Sequence, residues 1–118
     1  MTGKEGVFVA LWQKQCGPCR GDVAQLTPSQ YEPLLQELSG WQVIDGPKLL
    51  KTVKLANFAQ SLALANKIGA VAEEQGHHPD LLVRWGSLRI EIWTHAIGGL
   101  SENDFILAAK IDQVLAEV

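Results

Sequence analysis

Three histidines, His77, His78 and His95, fall within one 19-residue stretch, HHPDLLVRWGSLRIEIWTH, and the chain has no others. Imidazole is the side chain whose unperturbed pKa, about 6.5, keeps both charge states accessible near neutrality. A cluster of imidazoles is therefore suited to giving and taking protons. Two carboxylates accompany the cluster: Glu73, one helical turn before His77, and Asp104, shortly after His95. A carboxylate paired with an imidazole can fix its tautomer and raise its basicity. No Ser, Cys or Lys is obviously placed as a nucleophile beside them, so proton shuttling is favoured over covalent catalysis.

A second candidate lies nearer the N-terminus, where EGVFVALWQKQ runs into CGPCR at 16–20. A paired Cys16 and Cys19 suggests thiol–disulfide exchange, half of a zinc site with His77 and His78, or an inert, weakly redox-sensitive pair. A reactive thiol of the first kind sits at the N-terminus of a long helix, which lowers its pKa. Here Gly21-Asp22 follows at once and a new helix start arrives at Thr27, leaving at most about two turns, where a stable isolated helix needs ~12 residues. The details that accompany a thioredoxin site are also missing: Gln15 replaces the usual Trp, Ala10 the buried acid and Ala24 the helix-kinking proline. Two adjacent histidines rarely converge on one tetrahedral ion. An inert pair on a mobile extension over residues 1–24, part of it a strand, is the favoured reading.

The elements that must position the histidines are easier to read. In LTPSQYEPLLQELSGW, Thr27 caps a helix, Pro28 suits its first position and Gln30 completes a capping box. Leu34, Leu35 and Leu38 give the apolar stripe, and Gly40 a C-cap. Pro33 is awkward beyond a first turn. WQVID and KLLKTVKLA read as strands about Gly46-Pro47. In the second, Leu49, Lys51, Val53 and Leu55 share one face, and Lys48, Lys51 and Lys54 are assigned to solvent. NFAQSLALANKIGAVAEEQG is a helix from Asn57 to Gly76, with Phe58, Leu62, Ala65, Ile68 and Ala72 at helical spacing.

DLLVRW–GS–LRIEIWTH reads as a hairpin turning at Gly86-Ser87. Position 85 then pairs with 88, and His95 lies opposite about His78. All three imidazoles thus line one mouth of the sheet. Ser101 caps a final helix with Asp104 at the fourth place and Phe105, Ala108, Ile111 and Leu115 as its stripe. The order is α-β-β-α-β-β-α, an α+β sandwich with helices banked on one face. Trp41, Trp85 and Phe58 are expected in the core, and Trp93, on the face of His95, as a pocket wall.

The totals narrow the function classes. A chain of 118 residues with 47% hydrophobic content is one domain able to bury a core without disulfide staples. A formal net charge of −3 argues against a nucleic-acid surface. No apolar run approaches the ~20 residues of a membrane span, and VFVALW is too short for a signal peptide, which leaves the cytoplasm as the expected compartment.

With these residues in place, the spacing E73-x3-H77-H78-P79-x5-W85-x9-H95-x8-D104 closely resembles the signature of the pterin-4a-carbinolamine dehydratases. LTPSQ, the GW at 40–41, NFAQSLALANKIGAVAE and THAIGGLSENDFILAAKID extend the likeness over residues 25–118. Bacterial members often carry a CxPC-like pair ahead of the LT segment. The resemblance implies a four-stranded antiparallel sheet with three helices on one face, in dimers or tetramers. It implies dehydration of 4a-hydroxytetrahydropterin to quinonoid dihydropterin, in tetrahydrobiopterin recycling for an aromatic amino acid hydroxylase. A pterin is then the substrate, with no cofactor and no metal. His77, His78 and His95 would carry binding and proton transfer, Glu73 and Asp104 would tune them, and backbone from Trp93 through Thr94 and His95 to Ala96 would hold the ring. Gly76 stands where many members have an acidic or polar residue in contact with the pterin, and Asn103 where animal members have Arg. Some relatives lack the histidines and serve as assembly factors. A non-catalytic binding or assembly protein on the same fold is therefore the alternative class, ahead of a thioredoxin-like reductase using CGPC.

Overall fold

A computed structural model describes residues 9–18, 21 and 23–117. Helix α1 spans Pro28–Leu35, strands β1 and β2 Gln42–Ile44 and Lys48–Lys54, and helix α2 Phe58–Gln75. Strands β3 and β4 span Asp80–Arg84 and Ser87–Ile92, and helix α3 spans Glu102–Ala116. The four strands form one antiparallel sheet in the order β1-β2-β4-β3, with two short 3-10 turns at Leu11–Gln13 and His95–Ile97. The expected α+β order is therefore observed.

Local chemistry explains the boundaries. The Asn57 side chain accepts the Gln60 N–H at 2.8 Å to start α2, and Gly76 ends it in the left-handed conformation at φ 66°. The Gln30 side chain accepts the Thr27 N–H at 2.8 Å at the start of α1. That helix keeps Pro33 inside it and stops at Leu35, earlier than the leucine stripe suggests. Gly40 is left-handed at φ 75° but does not cap the helix; it swings the chain into buried Trp41.

The core lies between the sheet and the helices. Leu49, Leu88, Ile90 and Ile92 point into it from β2 and β4, against Leu64 and Ile68 of α2 and Phe105, Leu107, Ala108 and Ile111 of α3. The inward face of α2 is Ser61, Leu64, Ile68, Ala72 and Gln75. The stripe read from sequence holds at Ile68 and Ala72 but not in the first turns: Phe58 and Leu62 are exposed, and polar Ser61 takes an inward place, bonding the Asn57 and Trp85 carbonyls. Trp85 also leaves the core and is 69% exposed. It occupies the hairpin turn, since Arg84 pairs with Ser87, which makes Trp85-Gly86 the turn in place of Gly86-Ser87. The Gly86 carbonyl accepts the Leu55 N–H at 2.9 Å, pinning that turn to the start of α2.

Lys51 is not a solvated side chain. It lies on the helix-facing side of β2, where its ammonium donates to Asp112 at 3.0 Å and to the Ser39 carbonyl. Asp112 also accepts from the Trp41 indole at 2.8 Å and the Ser39 N–H at 2.9 Å. One half-buried carboxylate thus ties the α1–β1 corner and β2 to α3. Asp112→Ala is expected to lose about 2–3 kcal/mol, because three donors lose a charged acceptor together. The midpoint of urea unfolding would register it.

The segment ahead of α1 is packed. Leu11, only 2% exposed, joins the core beside α3, and Lys110 of that helix donates to the Trp12 carbonyl at 2.9 Å. Helix α3 is accordingly buried on more than its predicted stripe, with Ile106 and Ala109 also enclosed. Of the extension over residues 1–24, expected to be part strand, residues 1–8 lie outside the described residues, and Leu11–Gln13 form a 3-10 turn.

Candidate active site

The two hairpin strands end together. Asp80 pairs with Glu91 as the last rung of β3–β4, so the His77-His78-Pro79 approach and the Trp93–His95 exit leave the sheet at the same end. Continuing that register sets His78 opposite Trp93, a shift of two residues along the strand from the expected pairing with His95. The shift follows from the displaced turn. The mouth of the sheet is nevertheless where both segments lie.

His77 turns inward and is 4% exposed. Its Nε2 donates to Asp104 Oδ1 at 2.6 Å, and Asp104 is fully buried. The carboxylate's other oxygen accepts the Thr94 hydroxyl at 2.9 Å and the Ser101 N–H at 2.8 Å, while Thr94 and Ser101 share a 2.7 Å hydroxyl–hydroxyl bond. Asp104 thus serves twice, as the acid that closes the N-terminus of α3 and as the partner of His77. An ionised carboxylate only accepts, so in this pair the imidazole Nε2–H is the donor.

His78 points the other way. Its Nε2 meets Glu73 Oε2 at 2.5 Å, and both side chains are largely in solvent, at 58% and 78% exposure. His95, also exposed, begins the second 3-10 turn and packs edge-on against Trp93 with ring centroids 4.0 Å apart. Trp93 is held by a 3.4 Å bond from its indole N–H to Asp80 and by the Lys48 ammonium 5.1 Å from its ring. Beneath it, the Arg89 guanidinium, with Lys48 behind, keeps the Glu91 carboxyl below the ordinary carboxylate range.

The residues singled out in the sequence therefore form two linked groups. Glu73, Gly76, His77 and His78 stand at the C-terminal end of α2, with Trp93, Thr94, His95 and Ala96 beyond β4. Asp104 bonds both segments, through His77 and Thr94. Sequence reasoning assigned only backbone to Thr94 and only a cap to Ser101; both hydroxyls belong to the buried network. The Ser101-x-x-Asp104 capping pattern was the available signal for one of them. A cavity of about 140 Å³ adjoins this network, between Pro18 and Val23 on one side and Thr94, Ile97 and Ser101 on the other.

Cys16 lies in non-helical chain, its thiol 3.6 Å from the Asn103 carbonyl, and α1 does not begin until Pro28. The helix N-terminus that activates a thiol is therefore not built at Cys16. Cys19 lies outside the described residues. Among the described residues, no group of three or more His, Cys, Asp or Glu side chains is placed to hold a metal ion, and no helix is long and apolar enough to cross a membrane.

A four-stranded sheet carrying two histidine–carboxylate pairs at one end defines a small α+β domain with side chains of the type suited to proton transfer. The chain belongs to the pterin 4 alpha carbinolamine dehydratase family, whose model matches residues 24–114. It is 45% identical over 109 residues to a Methylococcus capsulatus protein provisionally named a pterin-4-alpha-carbinolamine dehydratase, covering 92% of this chain and 96% of that one. It is also 45% identical to the mitochondrial pterin-4-alpha-carbinolamine dehydratase 2 of Arabidopsis thaliana, over 91% of this chain and 60% of that one. Among solved structures, a transcriptional coactivator/pterin dehydratase from Brucella melitensis superposes with a TM-score of 0.71 at 26% identity, covering 76% of this chain and 97% of that one. A pterin dehydratase-like RuBisCO assembly factor of the alpha-carboxysome shares the fold at 24% identity and a TM-score of 0.55, over 64% of this chain and 89% of that one.

Proposed function

We propose that this chain dehydrates 4a-hydroxytetrahydropterin to quinonoid dihydropterin. The proton on N5 leaves, the C4a–O bond breaks, the N5=C4a double bond forms and the departing hydroxyl takes up a proton to become water. The net reaction needs one base and one acid and no redox partner. The observation that carries this reading is the orientation of the two adjacent histidines, one buried on Asp104 and its neighbour exposed on Glu73. That division suits a site in which His77 anchors the corner while His78 and His95 face substrate and move the protons. Glu73 holds the His78 ring, and Trp93 supports that of His95.

In this reading, peptide groups at Gly76 and from Trp93 through Ala96, the neighbours in sequence of the exposed imidazoles, hold the pterin ring. Such groups match the amide-like edge of a pterin. No resident cofactor is invoked, the pterin being the substrate. The reading extends to a homodimer or homotetramer and to a metabolic link with an aromatic amino acid hydroxylase that generates the carbinolamine.

The decisive experiment generates the carbinolamine enzymatically and follows its dehydration with and without the protein. Acceleration over the spontaneous rate is expected. Folded protein that leaves the rate unchanged would overturn the enzyme reading and favour a non-catalytic assembly role on the same fold.

A further inference from the structure

The N-terminal segment crosses the parts of the chain that carry the site residues, and it does so through side-chain amides rather than through the site itself. Gln75, the last residue of α2 and two before His77, is almost wholly buried. Its carbonyl oxygen accepts the Cys16 N–H at 2.9 Å, and its amide donates to the Gln15 side chain at 3.0 Å. Asn103, immediately before Asp104, makes a two-way pair with Gly17: the Gly17 N–H donates to Oδ1 and Nδ2 donates to the Gly17 carbonyl, both at 2.9 Å. Lys14 adds a surface ion pair to Glu102 at 2.8 Å, and Glu102 raises the lysine's pKa in return.

Further along, the Gln25 amide donates to the Ile97 carbonyl at 3.0 Å. A Cβ on Gly21 would stand 3.4 Å from the Ala96 carbonyl, and one on Gly99 would overlap the Gln25 side chain. The segment therefore touches the neighbours of His77, of Asp104 and of His95.

We infer that Gln75 and Asn103 are positioning residues through which residues 15–17 act as a strap, setting the separation between the end of α2 and the start of α3 and hence the geometry of the His77–Asp104 pair. This inference rests on the dehydratase reading for its consequence in rate, but its geometric claim stands apart from that reading. His77 and Asp104 are on different helix ends, so their 2.6 Å bond holds only if the ends keep their spacing. The end of α2 is bonded to residues 15 and 16 and the start of α3 to residue 17, each by two amide hydrogen bonds, which restrict direction as well as distance.

The test compares wild type with Gln75→Leu, Asn103→Ala and the milder Asn103→Asp, which keeps an acceptor for the Gly17 N–H. In the folded proteins, the proton on His77 Nε2, held in a short bond to a carboxylate, is read by proton NMR as a far-downfield imidazole resonance. The strap requires this resonance to shift or broaden in Gln75→Leu and Asn103→Ala, with a smaller change in Asn103→Asp. It also requires kcat for the dehydration to fall about 10–100-fold while KM stays within about twofold. An unchanged resonance in variants that remain folded by circular dichroism would overturn the inference, and so would lower stability with wild-type kcat. Should wild type itself fail to accelerate dehydration, the function proposed above is lost and the resonance alone decides the strap.

Discussion

His78→Ala and His95→Ala should each slow dehydration by about 10²–10⁴-fold while leaving thermal unfolding where it is in wild type. The expectation joins two separate facts. Both rings are exposed, so removing either creates no cavity and strands no buried partner; changes at such positions stay within about 0.5 kcal/mol. The losses on the surface are, for His78, an exposed pair with Glu73 that is worth little in water and, for His95, an edge contact with Trp93. A large fall in rate without a fall in stability would therefore place the rings in the chemistry. Steady-state assays at several pH values, beside calorimetry of the same preparations, make the comparison. A variant that unfolds early, or one that keeps its rate, would remove that histidine from the proposed acid–base pair.

Asp104→Ala should do the opposite first: it should destabilise the fold by about 3–5 kcal/mol, a large share of the 5–15 kcal/mol that holds a typical domain together. The carboxylate is fully buried and serves His77, Thr94 and the Ser101 N–H at once. Alanine removes this shared acceptor from all three and takes away the Asp104 half of the capping box of α3. Asp104→Asn keeps the size but presents an amide N–H to one of those donors, so its loss should be smaller yet still measurable. Urea unfolding gives the stability, and the dehydration rate measured well below the transition gives the catalytic part. A near-neutral Asp104→Ala would mean that the buried network contributes little to the fold.

The features legible in the sequence were those decided within a turn or two of chain. Asn57 with Gln60, Thr27 with Gln30 and Ser101 with Asp104 each satisfy helix ends with nearby side chains, so spacing alone announced them. The period-two pattern of β4 likewise set Leu88, Ile90 and Ile92 against Arg89 and Glu91. The histidine–carboxylate spacing was legible as a set, although which acid serves which ring was not, because that depends on where the chain turns after Gly76.

What escaped was decided at a distance. Trp85 reads as core by type, but the hairpin turns at it. Phe58 and Leu62 read as an inward stripe, yet Ser61 faces in because the carbonyl of Trp85 lies across from it. Lys51 looks solvated until Asp112 arrives from another element. Gln15, Gln75 and Asn103 are plain amides whose partners lie dozens of residues away, and no local pattern marks them.

Chain separation also bears on how the molecule assembles. The two hairpins close between near neighbours, whereas Cys16 meets Gln75 across 59 residues, Lys14 meets Glu102 across 88 and Trp12 meets Lys110 across 98. Long loops cost more entropy to close, and here the surface that rewards closure does not exist until α2 and α3 are packed. The strap is therefore among the last pieces to dock during folding and among the first to lift in a partial opening. On the strap inference, the helix ends around His77 and Asp104 are expected to acquire their final spacing at that late step.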